Sequence, residues 1–226
     1  RAASFHELRD AATYAYLYAK IVTTFDVFDE RSREIQRAHR RIGVGLTGVT
    51  DALAIRDRAT LSQWMDDTYS YLKCWDEVIS RELGIPLSVR LTTVKPSGTV
   101  SLVLGCAPGA HFDHAPYCLR RIRISANSPW LPAIIAAGYP VEPCVYADDT
   151  MVVEVPVRSA ATCAKADISA REKAQVVAWL QRHWSDNMVS CTVDFGPDEV
   201  GEVAPILSEM GGCELKSMSF LKRDDH

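Results

Sequence analysis

The sequence changes period once, at Gly84-Ile85-Pro86. Before that point apolar residues return at helical spacing. Leu8, Ala11, Ala12, Ala15, Tyr18, Ala19 and Val22 do so in one stretch, and Leu61, Trp64, Met65, Tyr69, Leu72 and Trp75 in another. After it, short alternating or β-branched runs take turns with helical ones. A chain in that order folds as α/β, with a helical part over 1–83 and alternating strands and helices over 88–222. The spacing predicts helices over 4–25, with Ser4 and Glu7 as a capping box, over 44–56 and over 60–82. Residues 29–41 between them are highly charged. Strands are predicted over 88–94, 120–125, 151–157, 188–195 and 215–221, and Val152, Val153 and Val155 mark a core strand. Helices are predicted over 129–137, closed by Gly138, over 169–183, opened by a Ser169/Glu172 capping box, and over 198–210, stopped by Gly211-Gly212.

Of the 226 residues 47% are hydrophobic and 24% charged, with a formal charge of −4. That balance excludes a disordered tail, a collagen-like chain and a low-complexity linker, and it argues against a protein that coats nucleic acid. No run of 18 apolar residues is present, so no membrane span is expected. The first residues lack the apolar core of a signal peptide. The sequence starts at Arg1 and not at Met, as a processed chain or a piece of a longer one would. Seven cysteines, an odd number without C-x-x-C, point to reduced thiols in a cytoplasmic protein, most of them small core residues.

Four motifs carry chemistry. Gly43-Val44-Gly45-Leu46-Thr47-Gly48 spells G-x-G-x-x-G, but a dinucleotide site needs a strand just before it, and Gln36 to Arg41 is charged. Close packing of a helix is the better reading of these glycines. Lys95-Pro96-Ser97-Gly98-Thr99-Val100-Ser101 follows a strand and leads into a short apolar run, 100–104. Its N–H groups and the hydroxyls of Ser97, Thr99 and Ser101 suit a phosphate, and they equally suit a plain strand-to-helix turn. His111-Phe112-Asp113-His114, flanked by Cys106 and Cys118, has no defensible zinc spacing, and no metal ligand is assigned. Arg121 and Arg123 share one strand face while Arg120 points the other way, in a cluster that suits either phosphate or solvent.

Several segments, in order, resemble one family. Arg40 to Gly48 looks like the segment that follows the radical-cysteine loop of ribonucleotide reductases. Thr93 to Leu102 looks like their phosphate-binding turn. Gly105-Cys106-Ala107-Pro108-Gly109-Ala110-His111-Phe112, Tyr117, Arg120 to Arg123, Trp184 to Val193 and Lys216 to Leu221 are similar to the adenosylcobalamin-dependent branch. The iron-dependent branch, the runner-up, would place a tyrosine pair in the last strand, which has none. The resemblance implies that 1–226 is a partial catalytic domain, the C-terminal part of a ten-stranded α/β barrel. It implies reduction of ribonucleoside di- or triphosphates by cobalamin-initiated thiyl chemistry, with a thioredoxin-like reductant and an upstream part of the same enzyme as partners. It implies that Pro96, Ser97, Gly98, Thr99 and Val100 hold the substrate phosphates, with Gly98 allowing close approach. The family's Asn-Pro-Cys-x-Glu or Asn-Leu-Cys-x-Glu loop is absent from these 226 residues, so no catalytic cysteine is assigned. A non-catalytic phosphate- or nucleotide-binding module is the reading from another class.

Overall fold

The computed structural model describes residues 3–159, 164–211 and 215–223. Helix α1 (Phe5–Val22) starts at Ser4, whose side chain accepts the Glu7 N–H. The Glu7 carboxylate turns back one residue further than expected, to the Ala3 N–H. The charged stretch forms α2 (Glu30–His39), capped by Asp29. Next come β1 (Val44–Gly45), α3 (Val49–Leu53), and the long α4 (Arg58–Leu83), which runs from an Asp57 cap to Gly84. Strand β2 (Thr92–Thr93) leads into α5 (Val100–Leu104). Then follow β3 (Tyr117–Ser125), α6 (Leu131–Ala136), β4 (Val141–Pro143) and β5 (Thr150–Arg158). Helix α7 (Ala170–His183) opens with the Ser169/Glu172 capping box, as the spacing requires. Strand β6 (Thr192–Phe195), a 3-10 turn (Pro197–Glu202), α8 (Val203–Met210) and β7 (Ser219–Lys222) complete the order.

Strand β1 runs parallel to β2, and β6 runs parallel to β7. A parallel bridge between Val94 and Val189 ties the two pairs together. Val193 of β6 and, beside the strands, Leu91, Val94 and Val189 are fully buried in one core with Tyr16, Leu72, Val177, Leu180 and Trp184 of the helices and of the α7 terminus. The Trp184 indole N–H donates to the Val44 and Thr93 carbonyls, at 3.3 and 3.1 Å, and so locks α7 across β1 and β2. Beside this core, β3, β5 and β4 form a separate antiparallel sheet.

Several sequence expectations need correction. Residues 44–56 are not one helix: they begin as β1, because Gly43 lies where a Cβ would sit 2.9 Å from Thr93 Cγ2 and the chain can pair with β2. The strand over 88–94 shrinks to two residues plus the Val94 bridge. The N–H groups before it go elsewhere: Ser88 to Asp76, Val89 to the His39 carbonyl and Leu91 to Asp186. Likewise 188–195 is a strand only from Thr192, 215–221 only from Ser219, and 198–210 begins as a 3-10 turn. Val152 and Val153 are buried but Val155 is only half-buried, and β3 beside them is mostly exposed, so this is a half-covered antiparallel sheet and not a core strand of a parallel one. The β4 strand had no sequence signal. Gly211 ends α8; Gly212 lies outside the described residues.

One polar group crosses the core. Lys20 is fully buried, and its Nζ donates to Asp76 Oδ1 at 2.8 Å, to Ser88 Oγ at 2.9 Å and to the Pro86 carbonyl at 3.2 Å. Asp76 also accepts the Tyr16 hydroxyl and the Ser88 N–H. Every ammonium proton has an acceptor, which is the condition for burying such a charge.

Candidate functional site: the turn after β2 and its cavity

Between Val94 and α5 the chain makes a turn in which Ser97, a non-glycine residue, takes φ 43°. That left-handed backbone costs about 1–3 kcal/mol unless its surroundings hold it. Thr47, just after β1, does so. Its hydroxyl accepts from Ser97 Oγ at 2.9 Å and from the Gly109 N–H at 3.1 Å, and donates to the Ala107 carbonyl at 3.0 Å. The 105–111 loop is pinned to the same place: the Ala107 N–H donates to Asp51, and the Gly48 N–H donates to the Ala107 carbonyl. Gly109, at φ 56°, lies so close under the turn that a Cβ there would collide with the Lys95 carbonyl oxygen. Replacing Gly109 by Ala is therefore expected to destabilise the fold by about 1–3 kcal/mol and to loosen the turn. Urea denaturation together with the amide spectrum of 95–101 would read both effects.

The turn presents donors without acceptors. Among the described residues the N–H groups of Ser97, Gly98, Thr99 and Val100 donate to nothing in the chain. Ser101 is fully buried, yet its Oγ has no hydrogen-bond partner. The hydroxyls of Thr68 and Ser80 in α4 are in the same condition, so what sets Ser101 apart is its place at a cavity. Gly98 and Ser101 both line a cavity of about 480 Å³, within the size range of small-molecule clefts. Of the five residues expected from sequence, only Gly98 lines this cavity. Pro96, Thr99 and Val100 are exposed beside it. The Ser97 hydroxyl is not a free donor, because Thr47 holds it. Gly98 itself is outside the left-handed region, and open space surrounds the place where its Cβ would be.

The far wall is cationic. It carries Arg120, Arg158, Lys165 and Lys173 against the carboxylates Asp113 and Asp194. Buried Asp194 is held by Lys173 at 3.1 Å, Lys165 at 3.4 Å and Arg223 at 3.6 Å. Burial lowers the Lys173 pKa, and the hydrogen bond to Asp194 opposes that shift. In the same wall burial, with the nearby Asp194 charge, pushes the Cys191 thiol up to about 12, so it stays protonated at neutral pH. His111 Nδ1 faces the Pro108 carbonyl at 3.1 Å and its Nε2 accepts the Thr192 N–H at 3.3 Å, which places the proton on Nδ1. Burial lowers its pKa, so the ring is a neutral strut between the loop and β6.

The other motifs resolve as follows. The glycines at 43–48 belong to β1 and the start of α3, not to a closely packed helix. Among the described residues no group of three or more His, Cys, Asp or Glu side chains is arranged to hold a metal ion. Cys74 and Cys118 are exposed and Cys106 is half-buried. Only Cys144 and Cys191 are buried, so most of the described cysteines are not core residues. Cys163 and Cys213 lie outside the described residues. No described helix is long and apolar enough to cross a membrane. Ser101 carries the clearest signal in the site, and the sequence offered it only as one hydroxyl among three, since burial without a partner has no sequence signature.

Comparison with family models gives no match. The adenosylcobalamin-dependent ribonucleoside-triphosphate reductase of Euglena gracilis is 40% identical over 211 residues, covering 92% of this chain and 29% of that protein. The reductase of the same name from Lacticaseibacillus paracasei is 38% identical over 246 residues, covering 95% and 33%. A crystal structure of a B12-dependent (class II) ribonucleotide reductase superposes with a TM-score of 0.88 at 32% identity, over 97% of this chain and 35% of that one. The chain spans about a third of the length of these relatives. With near-complete coverage of its own sequence and fold, it belongs to the adenosylcobalamin-dependent, class II ribonucleotide reductases.

Proposed function

We propose that this chain supplies the substrate-phosphate wall of a ribonucleotide reductase that converts ribonucleoside triphosphates to 2′-deoxyribonucleotides. The observation that carries this reading is the cavity that Gly98 and Ser101 line, beside four N–H groups without acceptors and with four cations in its wall. Such donors suit the oxygens of a phosphate ester. Residues 97–101 form the cradle, with Pro96 fixing the entry of the chain and Thr47 holding the shape. The catalytic domain of which this chain forms part is the ten-stranded α/β barrel. β1, β2, the 189–195 segment and β7 are four neighbouring parallel staves of it, and α4 and α7 lie on their outer face.

In this reading the chain's own residues bind and orient, and they do not abstract hydrogen. The turn anchors the phosphates and so fixes how far the ribose reaches toward the radical centre. A positioned reactant of this kind is worth a large part of a rate enhancement. The thiyl radical belongs to an Asn-Pro-Cys-x-Glu cysteine supplied from outside these 226 residues. Adenosylcobalamin, when bound, is the source of that radical. The cavity beside the turn, of about 480 Å³, is read as the phosphate site, and no step is routed through the cofactor. A thioredoxin-like reductant restores the enzyme's cysteines after each turnover.

The expected results are twofold. Adding inorganic phosphate to the ¹⁵N-labelled chain moves the amide resonances of 97–100 and leaves those of α8 in place. The same chain, given ribonucleoside triphosphate, dithiothreitol and adenosylcobalamin, forms no deoxyribonucleotide. Unmoved turn amides would refute the cradle; deoxyribonucleotide in the second assay would refute the division of labour.

A further inference from the structure

Three arginines follow closely on β3, and the structure gives them three different fates. Arg121 pairs with Glu142 and, at 3.5 Å, with Glu154 on the neighbouring strands. The Arg123 guanidinium lies 5.6 Å from the Tyr146 ring centroid. Arg120 projects from the opposite face of the strand, is half-buried and lines the cavity, and makes no hydrogen bond, ion pair or ring contact among the described residues. A half-buried guanidinium loses part of its hydration, and five fixed donors are left to satisfy. The other cations of this wall are engaged: Lys165 and Lys173 by Asp194, and Arg158 by the Tyr117 ring at 5.9 Å.

We infer that Arg120 is a second phosphate contact, which takes the phosphates beyond the one cradled by residues 97–101 and makes the site prefer a polyphosphate chain to a single phosphate. The inference rests on the phosphate-cradle reading and extends it to the length of the ligand. Three observations support it. The cavity of about 480 Å³ is larger than one phosphate needs. Its wall holds four cations against two carboxylates, and both carboxylates already have partners: Asp194 its lysines, and Asp113 the Ser159 hydroxyl. The planar guanidinium fork also matches paired phosphate oxygens, which an ammonium does not.

The test is calorimetric titration of the full chain with inorganic orthophosphate, pyrophosphate and triphosphate. Affinity should rise along that series. In Arg120→Gln the rise should flatten, with triphosphate bound about tenfold or more weakly and orthophosphate unchanged. Arg120→Lys should recover part of the preference, and Arg121→Gln should change nothing. Circular dichroism and the thermal midpoint should not move in Arg120→Gln, since the side chain holds nothing in the chain. Unchanged triphosphate affinity in Arg120→Gln, or an equal loss in Arg121→Gln, would overturn the inference. The cradle has its own readout: if Gly98→Val leaves orthophosphate bound while Arg120→Gln still flattens the series, the cradle reading fails and Arg120 stands. If Gly98→Val abolishes binding while Arg120→Gln has no effect, only the Arg120 inference fails.

Discussion

Gly98→Val weakens binding of phosphate, and of nucleotide in the complete enzyme, by about tenfold or more, while the thermal midpoint of the chain stays where it is. The two halves of this expected result have different causes. A Cβ at Gly98 meets no atom of the protein within 4 Å, and the backbone there is not left-handed, so the fold has no reason to resist the substitution. A less flexible residue also restricts the unfolded chain, which favours the folded state slightly. Gly98 lines the cavity, and in the proposed reading the isopropyl group crowds the approach of a phosphate oxygen to the turn N–H groups. A glycine kept only for the geometry of a turn gives the reverse pattern, with lost stability and unaltered affinity. Thermal denaturation and calorimetry on one preparation distinguish the two.

Lys20→Met has the largest expected effect on stability, a loss of about 3–5 kcal/mol. The substitution keeps the volume and removes the charge, so Asp76 stays buried with only the Tyr16 hydroxyl and the Ser88 N–H for company. In the native chain burial alone would raise the Asp76 pKa. The hydrogen bonds from Lys20, Ser88 and Tyr16 and the Lys20 charge outweigh it and hold the carboxyl below its ordinary value. The folded pKa is thus lower than the unfolded one, so the stabilising contribution is complete above the unfolded value of about 3.9 and is lost as pH falls through the lowered folded value. In Lys20→Met the sign reverses: the lone carboxylate prefers to be protonated, so the variant regains stability on acidification from neutral pH toward 4. Urea midpoints measured across that range should rise toward acid in Lys20→Met, while in the native chain this pair adds no slope until the pH falls below about 3.9. Parallel slopes would show that the pair does not carry the pH dependence. Replacing both residues, Lys20→Met with Asp76→Leu, should recover much of the loss, since a packed apolar pair has no charge to desolvate.

The parts of this fold that follow from local pattern were readable in the sequence. Helix α4 carries its apolar stripe over seven turns, Ser169 and Glu172 announce α7, and the valines of β5 lie in a strand that extends the predicted 151–157 run by one residue at each end. The parallel strands were not delimited, because two-residue strands such as β1 and β2 are set by what lies across from them. Val44 pairs because Thr92 is there, and the glycines beside it are as consistent with a helix contact as with a strand when no partner is visible. The site was half legible. Pro96 to Val100 stand out as a turn with hydroxyls and a glycine. Nothing in the string says that Thr47, fifty positions earlier, takes the Ser97 hydroxyl, or that Ser101 is buried without a partner. Alternation along β3 separated Arg120 from Arg121 and Arg123. It could not tell which face met solvent and which met a cavity, and of the two readings left open the structure gives Arg121 and Arg123 partners within the sheet and its flanking loop.

The tie between Ser97 and Thr47 also bears on how a ligand would arrive. The strained backbone at Ser97 is set when the chain folds, and Thr47, the 105–111 loop and β1 keep it set. The donors are aimed before any anion is present, so binding has little conformational entropy of the protein to lose. A loop that closed over its ligand would show a slow step after encounter. In the proposed reading a cradle held from beneath by a threonine needs none, and its occupancy would follow the phosphate concentration as fast as diffusion delivers it.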